Sequence, residues 1–156
     1  MAYNQHETVR QNRSRRWLTV QVLFLLPLMS LTIRLLGFKR SYIGLGRLAA
    51  IRARNRGVSQ TSLESAQGIA EIVTVANRRY SFYQGSCLSE SLVLWWLLRS
   101  HGIASEFCLG VRTLTGPFES HTWVEYDGFV LNDISNIGQI YERFDLSALS
   151  PGIKLP

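Results

Sequence analysis

From Trp17 to Ile33 the chain runs without a charge, WLTVQVLFLLPLMSLTI, between Arg15-Arg16 and Arg34. That length is the low edge of a transmembrane span. Against a span stand Pro27 in its middle, the polar Thr19, Gln21, Ser30 and Thr32, and the lack of a second hydrophobic segment, and the small-residue cleavage site of a secretory signal is also missing. The pattern predicts a buried or interfacial helix that Pro27 ends or kinks near Leu26. A true span and a membrane-surface helix with basic flanks are the alternatives. Residues 1–16 are polar and basic with no apolar period, and are expected to form a flexible tail.

Gly37 to Gly46 reads as punctuation, followed by a short basic helix over Leu45–Arg56 with Leu48, Ala49 and Ile51 on its apolar side and Gly57 at its end. Thr61 or Ser62 can cap a further helix reaching about Tyr80, with Leu63, Ala66, Ile69, Ala70, Ile72, Val73 and Ala76 at helical spacing. The strongest pattern follows Cys87, in LSESLVLWWLLRS. Ser86 suits its N-cap, Glu90 lies in the first turn where the helix dipole favours a carboxylate, and Gly102 suits the left-handed position past its end. Being apolar nearly all round, this helix is expected at the centre of the core.

After Gly102 the period changes from 3.6 to 2. Ser105–Arg112, Glu119–Tyr126 and Phe129–Asp133 read as strands of an antiparallel sheet, the last two joined across Asp127-Gly128, a strong hairpin signal. Beyond Asn136 the pattern is weak, and the tail with Pro151, Gly152 and Pro156 reads as coil. The expected architecture is α+β, with a central helix on a small antiparallel sheet and helices ahead of it. Its segments are a tail (1–16), a hydrophobic and basic helical region (17–60), a core (61–150) and a C-terminal tail (151–156).

Composition changes this picture little. In 156 residues, 46% are apolar and 18% charged, which excludes disordered and collagen-like classes and leaves one core sufficient for stability. Charge distribution says more: residues 1–56 hold eleven basic side chains and one acid, Glu7, so the net +6 of the chain conceals an acidic remainder. An anionic partner for the N-terminal third is implied, or a solvated basic face. No aromatic residue interleaves with the arginines of 47–56, so nucleic acid is not expected. The two cysteines, 21 positions apart and outside any C-x-x-C, form neither a disulfide framework nor a zinc knuckle, which favours a reducing cytoplasmic setting.

Cys87 stands at the first residue of the central helix, where unpaired N–H groups and the dipole stabilise an anion. A small buried structural cysteine is the plain alternative. His121, on a strand next to a hairpin, is the candidate base; His6 lies in the tail and His101 at a helix end. Asp133 can orient the imidazole, completing a nucleophile, base and orienter. Register matters here. A two-residue Asp127-Gly128 loop pairs Asp133 with Thr122 and turns it away from His121, making Asn132 the better orienter. A three-residue Tyr126-Asp127-Gly128 loop sets Asp133 opposite His121, so the triad predicts the bulged loop. A zinc site from Cys87, Cys108 and His121 lacks ligand spacing, and Cys108, mid-strand, reads as structural.

In combination, CLSESLVLWWLLRSHGI, EFCLGVR and FESHTWVEYDGFVLND resemble the core of the transglutaminase-like cysteine peptidases that process lasso-peptide precursors. The resemblance covers about residues 80–135 and, loosely, the hydrophobic N-terminal helix. It implies a papain-like α+β core with Cys87 as nucleophile, His121 as base and Asp133 as orienter, and no metal or cofactor. The implied reaction removes a leader from a ribosomally made precursor before a separate ATP-dependent cyclase forms the macrolactam. The helical pattern ahead of Cys87 leaves no room for a fused leader-binding domain, so a separate leader-binding protein is the expected partner. The Cys87 N–H is one oxyanion donor and Gln84 a candidate second. Trp123 shields the imidazole or belongs to the core. Rival readings are acyl transfer to an amine by the same three residues, and a non-catalytic adaptor held at a membrane by Trp17–Ile33.

Overall fold

A computed structural model describes residues 3–54, 62–79, 87–112 and 118–146, with side chains from Arg15 onward in the first helix. Gly57, Thr61, Gln84, Ser86 and the tail 151–156 lie outside the described residues.

Helix α1 spans Tyr3–Leu36 and continues through Pro27, so neither the expected tail boundary at 16 nor the stop near Leu26 marks an end of the helix. Packing on both sides of the proline explains its tolerance. Val22 and Leu26 before it, and Met29 after it, are buried in the core. The hydroxyls of Thr19 and Thr32 each donate to the carbonyl four residues back, satisfying part of the helix from within. The real break is Gly37, at φ +78°, whose N–H still bonds Ile33. Helix α2 then runs Phe38–Arg54, longer than the predicted 45–56, and takes Gly44 and Gly46 inside it. Ser41, Gly46 and Ala49 are buried where α2 lies on the central helix, and their small size permits close packing.

Helix α3, Leu63–Arg79, begins at Ser62, whose Oγ accepts the Ser65 N–H at 3.2 Å. Ala66, Ala70, Val73 and Ala76 form its buried face. Helix α4, Cys87–Ser100, is the central element that the sequence implied, with Leu92, Val93, Leu94, Trp95, Leu97 and Leu98 buried. Trp95 stacks on Tyr42 of α2 at 4.7 Å between ring centres. Its end is closed by Gly102 at φ +78°, by Ile103 N–H on Leu98, and by His101 Nδ1 2.7 Å from the Leu97 carbonyl. Glu90 does more than complement the dipole: its two oxygens accept from Thr74 at 2.9 Å and Asn77 at 2.5 Å, tying the start of α4 to α3.

Strands β1 (Glu106–Arg112), β2 (Glu119–Tyr126), β3 (Phe129–Val130) and β4 (Glu142–Arg143) form one antiparallel sheet in the order β3-β2-β1-β4, with a short helix α5 (Ile137–Ile140) before β4. β1 and β2 pair from Glu106↔Glu125 to Arg112↔Glu119, the last pair closed by a 2.6 Å ion pair. Phe107 and Val124 face the helices, in one core that also holds α1, α3 and α4. Cys108, Trp123 and Ile137 form a second small core on the other face. The weakly patterned segment after Asn136 thus contributes both α5 and β4.

Candidate active site

Cys87 is the first residue of α4 and is half-buried. One helical turn further, Ser91 fixes where that helix end sits. Its Oγ donates to the Thr122 carbonyl at 3.0 Å and accepts from Asn132 Nδ2 at 3.1 Å. Thr122 adjoins His121 and Asn132 adjoins Asp133, so the first turns of α4 are docked to the two backbone segments that carry the other candidate residues. Ser30 of α1 adds a 3.2 Å bond to Ser89.

His121 Nε2 lies 2.6 Å from Asp133 Oδ2, and the two side chains are 24% and 23% exposed. The other carboxylate oxygen accepts the Ile134 N–H at 2.8 Å, which fixes its orientation. With Nε2 engaged by the carboxylate, Nδ1 is the nitrogen left for a thiol or a leaving group. The imidazole lies beside Tyr141 at 5.2 Å and Trp123 at 6.5 Å between ring centres, so aromatic walls limit its movement.

The hairpin register departs from the expectation. Tyr126 pairs with Phe129 and Glu125 with Val130, and Asp127 (φ +50°) and Gly128 (φ +77°) form the tight two-residue loop instead of the bulged one. Asn132 nevertheless does not hold the imidazole, and Asp133 does. The reason is the length of β3, which stops at Val130 and not at Asp133. Leu131 N–H still bonds the Val124 carbonyl at 2.9 Å, but the returning bond is made by a side chain, with Asn132 Oδ1 accepting the Val124 N–H at 2.8 Å. The backbone leaves the ladder there, so strand alternation no longer governs where Asp133 points. Asn132 and Ser91 were not singled out as the link between helix and strand. A serine four positions after Cys87, directly before the apolar run LVLWWLL, was the available signal.

Trp123 is fully buried and belongs to the second core. Its Nε1 donates to Glu125 at 2.7 Å, and Arg143 both pairs with Glu125 and stacks on the indole. Gly110, opposite His121 in the ladder, makes room for this ring. A Cβ there would lie 2.6 Å from Tyr141 Cβ and 2.9 Å from the Trp123 ring. Cys108 is buried beside them, and burial together with the Glu125 charge pushes its thiol up to about 12. The donor atoms of Glu106, Cys108 and Glu125 lie within 4.8 Å of one another, the grouping among the described residues nearest to a metal site. Glu125 is already engaged by Trp123 and Arg143, and a protonated thiol is a poor ligand. Cys108 belongs to the small second core, and Cys87 is not part of this grouping.

Over 57 residues the chain is 40% identical to the microcin J25-processing protein McjB of Escherichia coli, a stretch covering 36% of this chain and 26% of that protein. The chain thus matches about a quarter of its relative's length. No solved structure matches. The family model described as transglutaminase-like superfamily matches residues 32–142, from the last turn of α1 through the start of β4. The chain, in which a helix opens on a cysteine and a strand histidine is held by an aspartate, therefore belongs to the transglutaminase-like superfamily.

Proposed function

We propose that this protein is a cysteine peptidase that removes the leader from a lasso-peptide precursor, with Cys87 as nucleophile, His121 as general base and acid, and Asp133 as orienter. The 2.6 Å bond between His121 Nε2 and Asp133 carries the reading. It leaves Nδ1 to exchange a proton with the thiol and selects one tautomer for that task. The McjB relative, named for processing microcin J25, supports a peptide precursor as the substrate class.

In this scheme Cys87 Sγ gives its proton to His121 and attacks the carbonyl at the leader–core junction. The oxyanion accepts from the Cys87 N–H, one of the helix donors with no partner inside α4. His121 then protonates the departing amine of the core, leaving the leader as a thioester on Cys87. Water, deprotonated by the same imidazole, attacks that thioester and frees the leader acid and the thiol. Gln84 as a second oxyanion donor stays a proposal, as do the leader-binding protein and the ATP-dependent cyclase as partners, and cytoplasmic residence.

The test mixes the protein with a candidate precursor, with and without a leader-binding protein, and follows product masses for the wild type and for Cys87→Ala. A single cut at the junction, with water added to the leader and loss of cutting in the variant, is the expected result. A leader carried instead on an added amine would assign the same residues to acyl transfer. An intact precursor under every condition would move the assignment to a non-catalytic adaptor.

A further inference from the structure

Helix α1 has two apolar faces. Val22, Leu26 and Met29 enter the core, whereas Trp17, Val20, Phe24, Leu28, Leu31 and Leu35 recur at steps of three or four residues on the opposite side, each more than half exposed. This stripe extends over about 27 Å at 1.5 Å per residue. Soluble monomers rarely leave so continuous an apolar strip in water. Between residues 15 and 54 there is no acid, and Arg15, Arg16, Arg34, Lys39, Arg40, Arg47, Arg52 and Arg54 are all exposed.

We propose that α1 docks this protein peripherally on an anionic lipid bilayer, with the Trp17–Leu35 stripe immersed at the interface and the basic residues of α1 and α2 against lipid headgroups. Charge complementarity selects this occupant. A second copy of the chain would bring the same cations to the same place, whereas an anionic surface neutralises them. Although 15–36 is long and apolar enough to cross a membrane, insertion would strip Val22, Leu26 and Met29 from the core and break the Ser30–Ser89 and Arg15–Glu71 contacts. Lying flat keeps all of them. Because α4 lies between α1 and the sheet, the bilayer would cover the side away from His121 and Asp133 and leave the candidate site open to water. The inference does not depend on the peptidase reading.

The test is flotation of the full chain with phosphatidylcholine vesicles, with and without phosphatidylglycerol, for the wild type and for Phe24→Ser/Leu28→Ser. Both changes are on the exposed face, and thermal melting verifies that the variant folds. Wild type should float with the anionic vesicles, release with salt, and lose about tenfold or more in partitioning in the double variant. Equal binding to uncharged vesicles, or none from folded protein, would overturn the proposal. So would association that depends on Phe24 and Leu28 in lipid-free solution, which would make the stripe a protein interface. Wild type that resists extraction by salt and alkali would overturn the peripheral geometry. A chain that floats but cuts no precursor would leave this proposal standing and count against the peptidase.

Discussion

Replacing Asn132 by alanine should damage both folding and chemistry, because this side chain stands in for the missing β3 ladder bond and ties α4 to β2. Val124 is fully buried, so removing Oδ1 at 2.8 Å leaves its N–H without a partner, at about 1–3 kcal/mol. Loss of the 3.1 Å bond to Ser91 adds about 1 kcal/mol. Together these come to about 2–4 kcal/mol, which for a chain of this size lowers the melting temperature by roughly 5–12 °C. Ser91→Ala should cost a similar amount, about 1–3 kcal/mol, since it removes this donor from the carbonyl of the buried Thr122 and frees the half-buried amide of Asn132. The double variant should lose less than the two separate losses added, because the variants share one bond. Circular dichroism melting of all four proteins measures this cycle, and precursor cleavage measured alongside should fall most in Asn132→Ala, where Asp133 loses its neighbour's anchor. An Asn132→Ala protein melting within about 2 °C of the wild type, or a strictly additive cycle, would refute the argument that a side chain completes the ladder.

Gly110→Ala places a methyl against Tyr141 and Trp123, the walls of the imidazole, and should destabilise by about 1–3 kcal/mol while lowering the cleavage rate, both read from melting and from turnover. Glu90→Ala releases Thr74 and Asn77 from α4 and should lower the melting temperature by roughly 3–9 °C, whereas Glu90→Gln should recover part of it by keeping one acceptor. In Cys87→Ala, the remaining thiol should resist iodoacetamide until the pH nears about 12 or the chain unfolds. Since the native state holds the Cys108 proton more tightly than the unfolded chain does, stability should fall as the pH climbs from the ordinary thiol value near 9, and Cys108→Ala should flatten that alkaline decline in melting experiments.

Regular elements with strong periods were legible in the sequence: α3 with its Ser62 cap, α4 with Gly102 at its end, and β2 at both ends. What escaped depended on contacts between distant residues. Pro27 and the glycines of α2 carry breaking propensities that packing on α4 overrides, and propensity is a weak prior against tertiary burial. The α5–β4 segment has too few residues for a period to show, and it is held by partners elsewhere, such as the Phe144 N–H on Leu109 at 2.8 Å. At the candidate site, the position of Cys87 at the start of α4 and the pairing of His121 with Asp133 could be expected from residue type and element position. The route by which Asp133 reaches His121 could not, because it turns on where a two-residue strand stops. That stop is set by one asparagine side chain taking a backbone group's place.

The central claim, that Cys87, His121 and Asp133 act as one unit on a peptide bond, is tested most directly by cleavage rates of Cys87→Ala, His121→Ala, Asp133→Ala and the His121→Ala/Asp133→Ala pair. Cys87→Ala should abolish measurable cutting, His121→Ala should leave a trace rate and Asp133→Ala a larger one, and the pair should be no slower than His121→Ala alone, as expected of residues acting through one another. Cutting that survives in Cys87→Ala, or an Asp133→Ala protein as fast as the wild type, would contradict the account.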